Sequence, residues 1–243
     1  MTGRTLGVVV TRRVDAPVVR AWWARHPELP LAAVIAATWA WLSIDHVAHH
    51  GEPQVGWHFS LGTWTAMVVA MMVPAILPMQ RWVAFNSLWC RRHRASVLFA
   101  STYVAVWVGF GAALAAIAWA IGALTEWEFA PGRFAAAATF AAASLWQLTP
   151  VRRRALRRCH LRRPLAPRGR RADASVVRYG WFVARACIVS CGGVMVAMFV
   201  AAHDVHLMLP LTAIILVERF QFRPDERLAS AGIALVAALS LLG

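Results

Sequence analysis

The sequence predicts an all-α protein, a polytopic bundle of about seven transmembrane helices with its amino terminus in the cytoplasm. The first observation is composition, because 60% of the 243 residues are hydrophobic, whereas soluble domains contain about 45–50%. The second is that long apolar runs alternate with short charged loops, which is typical of a multi-pass membrane protein. The third is that the arginines are concentrated in a few of those loops. We therefore expect the chain in the cytoplasmic (inner) membrane of a bacterium.

Seven apolar segments are candidates for spans, each of which requires about 20 residues. They are 29–50, 59–81, 95–122, 133–150, 179–202, 207–219 and 228–243. The first is long enough only if its helix continues past Leu42 to His49, and the last two are short enough to be tilted or re-entrant. Residues 1–28 are predicted to form a cytoplasmic amphipathic segment that precedes the bundle 29–243. They lack the pattern of a cleavable signal peptide, so the first span is expected to act as a signal anchor.

Loop charge assigns the orientation, because positively charged loops stay in the cytoplasm. Residues 1–25 carry five arginines, 81–94 carry four and 152–171 carry ten, whereas the loops between them carry three glutamates. The amino terminus is therefore predicted inside, and an odd number of spans places the carboxyl terminus outside.

The basic charge is unusual in kind, since all 25 basic residues are arginine and the net charge is +14. Without a lysine the chain cannot form the Schiff base of a retinal protein. Nucleic-acid binding is not predicted, because topology accounts for the position of the arginines. The Arg-rich cytoplasmic loop 151–178 is a candidate for contact with anionic lipid headgroups or an acidic partner, with topology alone as the alternative. The arginines concerned are Arg152, Arg153, Arg154, Arg157 and Arg158.

Six of the nine histidines fall on the predicted outer side. On a continuing helix His46, His49 and His50 lie close to one face, and Asp45 is one turn from His49. The same composition recurs at 203–206, and His58 lies in the first outer loop. Histidine with carboxylate suits copper, zinc or iron, so the predicted metal ligands are Asp45, His46, His49, His50, His203 and His206. The alternative is that these histidines simply lie at the lipid headgroups.

Sulfur-containing side chains form a second pattern deeper in the predicted bundle. Segment five carries Cys187, Cys191, Met195 and Met198 at helical spacing, and segment two carries Met67, Met71 and Met72. Thiolates and thioethers select Cu(I) over hard cations. The alternative is ordinary packing, because methionine and cysteine are also common core residues.

The stretch 64–74, which reads WTAMVVAMMVP, resembles the signature of a bacterial family of predicted metal-binding integral membrane proteins, domain of unknown function 2182. Similar matches are LWQLTP at 145–150, followed by Cys159, and the cysteine and methionine helix around 187–195, followed by Glu218. The resemblance implies metal binding, with Met67, Met71, Cys191 and Met195 as ligands. Trp146 replaces the family's tyrosine, and Gly192 stands where a second adjacent cysteine is expected.

These observations favour an integral membrane protein that handles copper, with an outer His/Asp site and a Met/Cys lane in the bundle. The first alternative is a subunit of a membrane metallo-oxidoreductase that uses copper, iron or haem. The second is a structural accessory subunit that packs against other membrane proteins. Zinc is a further possibility for the ion.

Overall fold

A computed structural model describes residues 25–48, 60–125, 133–201, 205–221 and 226–242. Within these ranges the chain is helical and contains no β-strand, which confirms the all-α prediction. The predicted segment 1–28 lies almost entirely outside them and stays a prediction. The helices are α1 (Leu29–Ala48), α2 (Leu61–Met71), α3 (Leu77–Phe85), α4 (Arg92–Thr125), α5 (Arg133–Gln147), α6 (Pro150–Cys159), α7 (Gly169–Val200), α8 (Val205–Phe220) and α9 (Glu226–Leu242).

Three stretches of helix in the described ranges are long and apolar enough to cross a membrane, namely Leu29–Ala48, Trp89–Leu124 and Gly169–Val200. The number rises to five if α2 with α3 and α5 with α6 each count as one bent span. Helices α8 and α9 have 16 and 17 residues, so they are shorter than the usual span. The expected number of seven spans is therefore not confirmed.

Proline causes the break between α2 and α3, which bend by 44°. Pro74 has no N–H to donate to the carbonyl of Ala70, and the indole Nε1 of Trp39 on α1 donates to that carbonyl instead, at 3.1 Å. The hydroxyl of Tyr103 on α4 donates to the carbonyl of Met72 at 3.4 Å. Side chains from neighbouring helices thus satisfy the backbone that the proline frees.

A second break separates α5 from α6, where the chain turns by 75°. Thr149 caps α6, since its hydroxyl oxygen accepts from the amide of Arg152, and Pro150 occupies the first turn. Helix α6 is strongly amphipathic. Ala155 and Leu156 face the protein, whereas Arg153, Arg154, Arg157 and Arg158 are exposed.

Helix α7 is the centre of the fold, and α4, α5 and α6 pack against it. Asp173, in the first turns of α7, pairs with Arg91 and with Arg94, which lies 2.8 Å away. Further along the same two helices, Tyr103 contacts Cys187, so α4 and α7 run in the same direction. We use Gly169 and Val200 to name the two ends of the molecule, the Gly169 end and the Val200 end.

Candidate metal centre

His46 and His206 meet at the Val200 end of the molecule. Their Nε2 atoms are 3.1 Å apart, and the rings lie edge to face with centroids 4.8 Å apart. The two residues are 160 positions apart in sequence. His46 is in the last turn of α1 and His206 in the first turn of α8, so the approach of these two helix ends brings the imidazoles together.

This geometry suits two ligands of one metal ion. Metal–nitrogen bonds of about 2.0–2.1 Å place two tetrahedral nitrogen ligands about 3.3 Å apart. His46 is half-buried and His206 is exposed, so an ion could reach the pair from outside the protein. Asp45 is exposed on α1 immediately before His46.

The other predicted outer ligands lie outside the described residues. They are His49, His50, His203 and the neighbouring His58 and Asp204. Within the described part of the chain, no group of three or more His, Cys, Asp and Glu side chains is arranged to hold a metal ion. Of the predicted outer ligands, His46 and His206 are the two that the described residues show in contact.

The sulfur-containing side chains of the predicted lane belong to one buried core. Met67, Met71 and Met195 are completely inaccessible to solvent, and Cys191 is almost so. Met72, Met198 and Cys187 are equally buried. Met208 on α8 is also fully buried, but it was not among the predicted ligands. Segment 207–219 was too short to be treated as a normal span, so its methionine was not considered. The feature that could have indicated Met208 is its position two residues after His206.

Helix geometry orders these side chains by depth below the Val200 end, at about 1.5 Å per residue. Met198 and Met208 lie about 3–5 Å from the ends of their helices, and Met67 and Met195 about 8–9 Å. Met71 and Cys191 follow at about 14–15 Å, and Cys187 lies at about 20 Å. Counted along their own helices, these side chains therefore extend from the first turn of α8 and the last turn of α7 to the middle of α7.

Cys187 forms the inner end of the lane and accepts two hydrogen bonds. The hydroxyl of Tyr103 and the Nη2 of Arg219 each donate to its Sγ atom at 3.0 Å. Arg219 is buried, so a full positive charge lies beside a sulfur atom inside the protein. The thiolate, not the thiol, is the form of cysteine that binds metal, and an adjacent guanidinium offsets its negative charge.

Two more thiols lie close to this point. The hydroxyl of Ser190 is 3.5 Å from the Sγ of Cys191 and 3.9 Å from the Sγ of Cys159. All three cysteines are buried and free, whereas Cys90 is exposed at the Gly169 end. Three thiols from α6 and α7 thus lie near the guanidinium of Arg219, although they do not form a closed ligand set.

Arg152 does not lie where loop composition predicts, because composition grouped it with the other arginines of the cytoplasmic loop 151–178. Arg152 is instead fully buried and forms an ion pair with Glu218. Its Nε also donates to the carbonyl of Ser190 at 3.4 Å.

Several buried polar atoms around the thiols have no hydrogen-bond partner among the described residues. They are Nε and Nη1 of Arg219, Nη1 of Arg152, Oε1 of Glu218 and Oε1 of Gln147. Each such atom costs about 1–3 kcal/mol. An ordered water, an ion or a ligand can supply the missing bond at such an atom.

The fold and these residues define a class: an all-helical protein with two histidines in contact at one end and buried methionine and cysteine side chains in its core. The chain belongs to a family of copper chaperones, PpoB2, whose family model matches residues 61–242. This membership confirms the copper part of the prediction from sequence. Comparison with curated proteins gives no match, and comparison with solved structures gives none either.

Proposed function

We propose that the protein is an integral membrane copper chaperone that captures Cu(I) through His46 and His206 and holds it on the buried sulfur lane. The observation that carries the proposal is the contact between His46 and His206, with the buried Met208 two residues after His206 on the same helix. Nitrogen donors are accessible and sulfur donors are enclosed, which is the arrangement expected of an entry site followed by a holding site.

Ligand softness supports copper as the cargo. Thioether and thiolate sulfur favour Cu(I), and imidazole accepts copper in either oxidation state. Met208 and Met198 lie nearest the histidine pair, so an ion leaving the imidazoles meets thioethers first. The thiols of Cys191 and Cys187 come deeper.

Charge balance supports the inner end of the lane as the holding site. One Cu(I) bound by two thiolates carries a net charge of −1, which is costly in a buried location without a compensating cation. Arg219 supplies that cation at hydrogen-bond distance from Cys187. Its two unpartnered nitrogens leave donors for a second thiolate or for water.

The proposed location is the bacterial inner membrane. Three to five helices or bent pairs have the length and composition of spans, and the arginine-rich loops support a cytoplasmic position for the Gly169 end. The resemblance to predicted metal-binding membrane proteins supports the same location. The histidine pair then faces the outer side, and the cargo enters from there.

The test is copper loading of the protein purified in detergent under reducing conditions. We expect bound Cu(I), measured by mass spectrometry of the metal and by competition with a Cu(I) chelator. His46→Ala with His206→Ala should slow the uptake of Cu(I) at least about tenfold, because two of the donors at the proposed entry site are removed. The equilibrium Cu(I) affinity of the sulfur lane should stay unchanged. The matched control is His93→Ala with His160→Ala, which changes two exposed histidines at the Gly169 end.

X-ray absorption of the loaded protein separates the two parts of the proposal. Scattering from sulfur bound to copper should disappear in the double variant Cys187→Ser with Cys191→Ser and persist in Cys90→Ser. This result would assign copper to the lane. Equal rates of Cu(I) uptake by the wild-type protein and the His46/His206 variant would contradict the entry site. A Soret band in the purified protein would instead indicate the haem oxidoreductase alternative.

A further inference from the structure

A wide groove runs along the outside of the Gly169 half of the molecule, between α6 and α7. Its volume is about 670 Å³, within the range of about 300–1,000 Å³ that is usual for ligand sites. Its lining residues include five arginines from α6, α7 and the linker that joins them. They are Arg154, Arg158, Arg163, Arg178 and Arg185.

Helix periodicity aligns these arginines on the groove. Arg154 and Arg158 are one turn apart on α6, and Arg178 and Arg185 are two turns apart on α7. The guanidinium of Arg163 lies 3.8 Å from the centre of the Phe182 ring, so the aromatic face holds it at the groove. The arginines are solvent-exposed, which leaves their donors accessible.

No carboxylate is among the residues that line this groove. The carboxylates of the described parts of α7 and α8 are engaged elsewhere, since Asp173 pairs with Arg91 and Arg94, and Glu218 pairs with Arg152. Five guanidinium groups around one cavity repel each other, and an anion between them would relieve that repulsion. The residues that line the groove supply no such anion.

The remaining lining is apolar and exposed. Val151, Trp181 and Val189 line the groove with 50%, 51% and 39% of their surfaces accessible. Residues 186–200 of α7 carry no charged side chain, whereas 169–185 carry several arginines. The groove thus lies at the level where α7 changes from charged to uncharged, and tryptophan is typical of that level at a membrane surface.

We propose that this groove binds the phosphate headgroup of an anionic phospholipid, with the glycerol and the first acyl carbons against Trp181 and Val189. Arginine suits this role because its fork of donors binds two phosphate oxygens at once. The apolar wall is the reason to assign a lipid over free phosphate. The inference takes the membrane location from the proposed function but does not depend on copper binding.

The test is native mass spectrometry of the full-length protein in neutral detergent with added phosphatidylglycerol, phosphatidylcholine or inorganic phosphate. We expect one retained phosphatidylglycerol, weaker retention of phosphatidylcholine and no competition by inorganic phosphate at equal concentration. Replacing Arg154, Arg158, Arg178 and Arg185 by glutamine should lower the affinity for phosphatidylglycerol at least about tenfold.

The matched control removes the same charge outside the groove, with glutamine at Arg157, Arg162, Arg170 and Arg171. It should change the affinity much less than the groove variant. Equal losses in the two variants would overturn a specific site, and effective competition by inorganic phosphate would overturn the lipid assignment. Copper loading of both variants should equal that of the wild-type protein. A failure of the lipid proposal is therefore distinguishable from a failure of the copper proposal. Normal copper loading also shows that both variants are folded.

Discussion

The buried ion pair between Arg152 and Glu218 is the residue-scale feature with the largest expected effect on stability. It links α6 to α8, and Arg152 also donates to the carbonyl of Ser190 on α7. Two charges removed from water are stable only while both are present and hydrogen-bonded. The pair therefore connects three helices next to the thiols of the proposed holding site.

Replacing Glu218 by glutamine should destabilise the protein by about 3–5 kcal/mol, because it leaves the Arg152 guanidinium buried without a counter-charge. The measurement is thermal or denaturant unfolding of the protein in detergent. The double variant Glu218→Gln with Arg152→Met removes both charges and should lose less stability than the single variant. A single variant as stable as wild-type would contradict the assignment of the pair.

At the scale of elements, the two helix breaks coincide with two of the three stretches that carry the family resemblance. The WTAMVVAMMVP stretch ends at Pro74, three residues after the end of α2, and LWQLTP ends at Pro150, where α6 begins. The first break exposes carbonyls that Trp39 and Tyr103 cap. Since Tyr103 also donates to Cys187, this motif and the thiol centre are joined through a single side chain.

Close packing of α2 on α4 depends on a glycine. A Cβ atom at Gly111 would lie 2.3 Å from the indole of Trp64. Trp64 cannot move aside, because it is fully buried and its Nε1 donates to the carbonyl of Trp107 at 2.9 Å. Two helices approach closely only where such a small residue allows it.

Gly111→Ala should therefore lower the unfolding free energy by about 1–3 kcal/mol through overpacking. The same helix supplies the control, since a Cβ at Gly109 would have no neighbour within 4 Å. Gly109→Ala should be neutral or stabilise by about 0.4–1 kcal/mol. Unfolding midpoints in detergent compare the two, and equal midpoints would contradict the close approach of Trp64.

At the scale of the whole molecule, the two ends differ in chemistry. The Val200 end carries the histidine pair, and the Gly169 end carries Cys90, the Arg91–Asp173 pair and the arginine groove. This polarity follows from the parallel course of α4 and α7 and the opposite course of α8. Membrane insertion would place these ends on opposite sides.

A membrane-impermeant maleimide tests that arrangement. Cys90 is exposed, whereas Cys159, Cys187 and Cys191 are buried, so only Cys90 should react in the folded protein. We expect labelling in inverted membrane vesicles and protection in intact spheroplasts. The control is Asp45→Cys in a Cys90→Ser background, which should show the reverse pattern. Labelling of both positions from one side would contradict the orientation.

The sequence determined the class of fold, most of the helical segments and most of the buried sulfur-containing side chains. Apolar runs and helical spacing are local properties, and a stripe such as Cys187, Cys191 and Met195 follows from periodicity alone. The histidines singled out by composition included His46 and His206. Their presence on two segments suggested a pair without showing that the rings would meet.

Tertiary structure alone decided which side chains share a site. The contact of His46 with His206, the donation from Arg219 to Cys187 and the Arg152–Glu218 pair all join residues from different helices. Such contacts depend on how helices cross, which periodicity does not encode. Burial of an arginine beside exposed neighbours on α6 likewise depends on the helix face that packs against α7. For that reason loop composition grouped Arg152 with the surface arginines, and only the folded chain separates it from them.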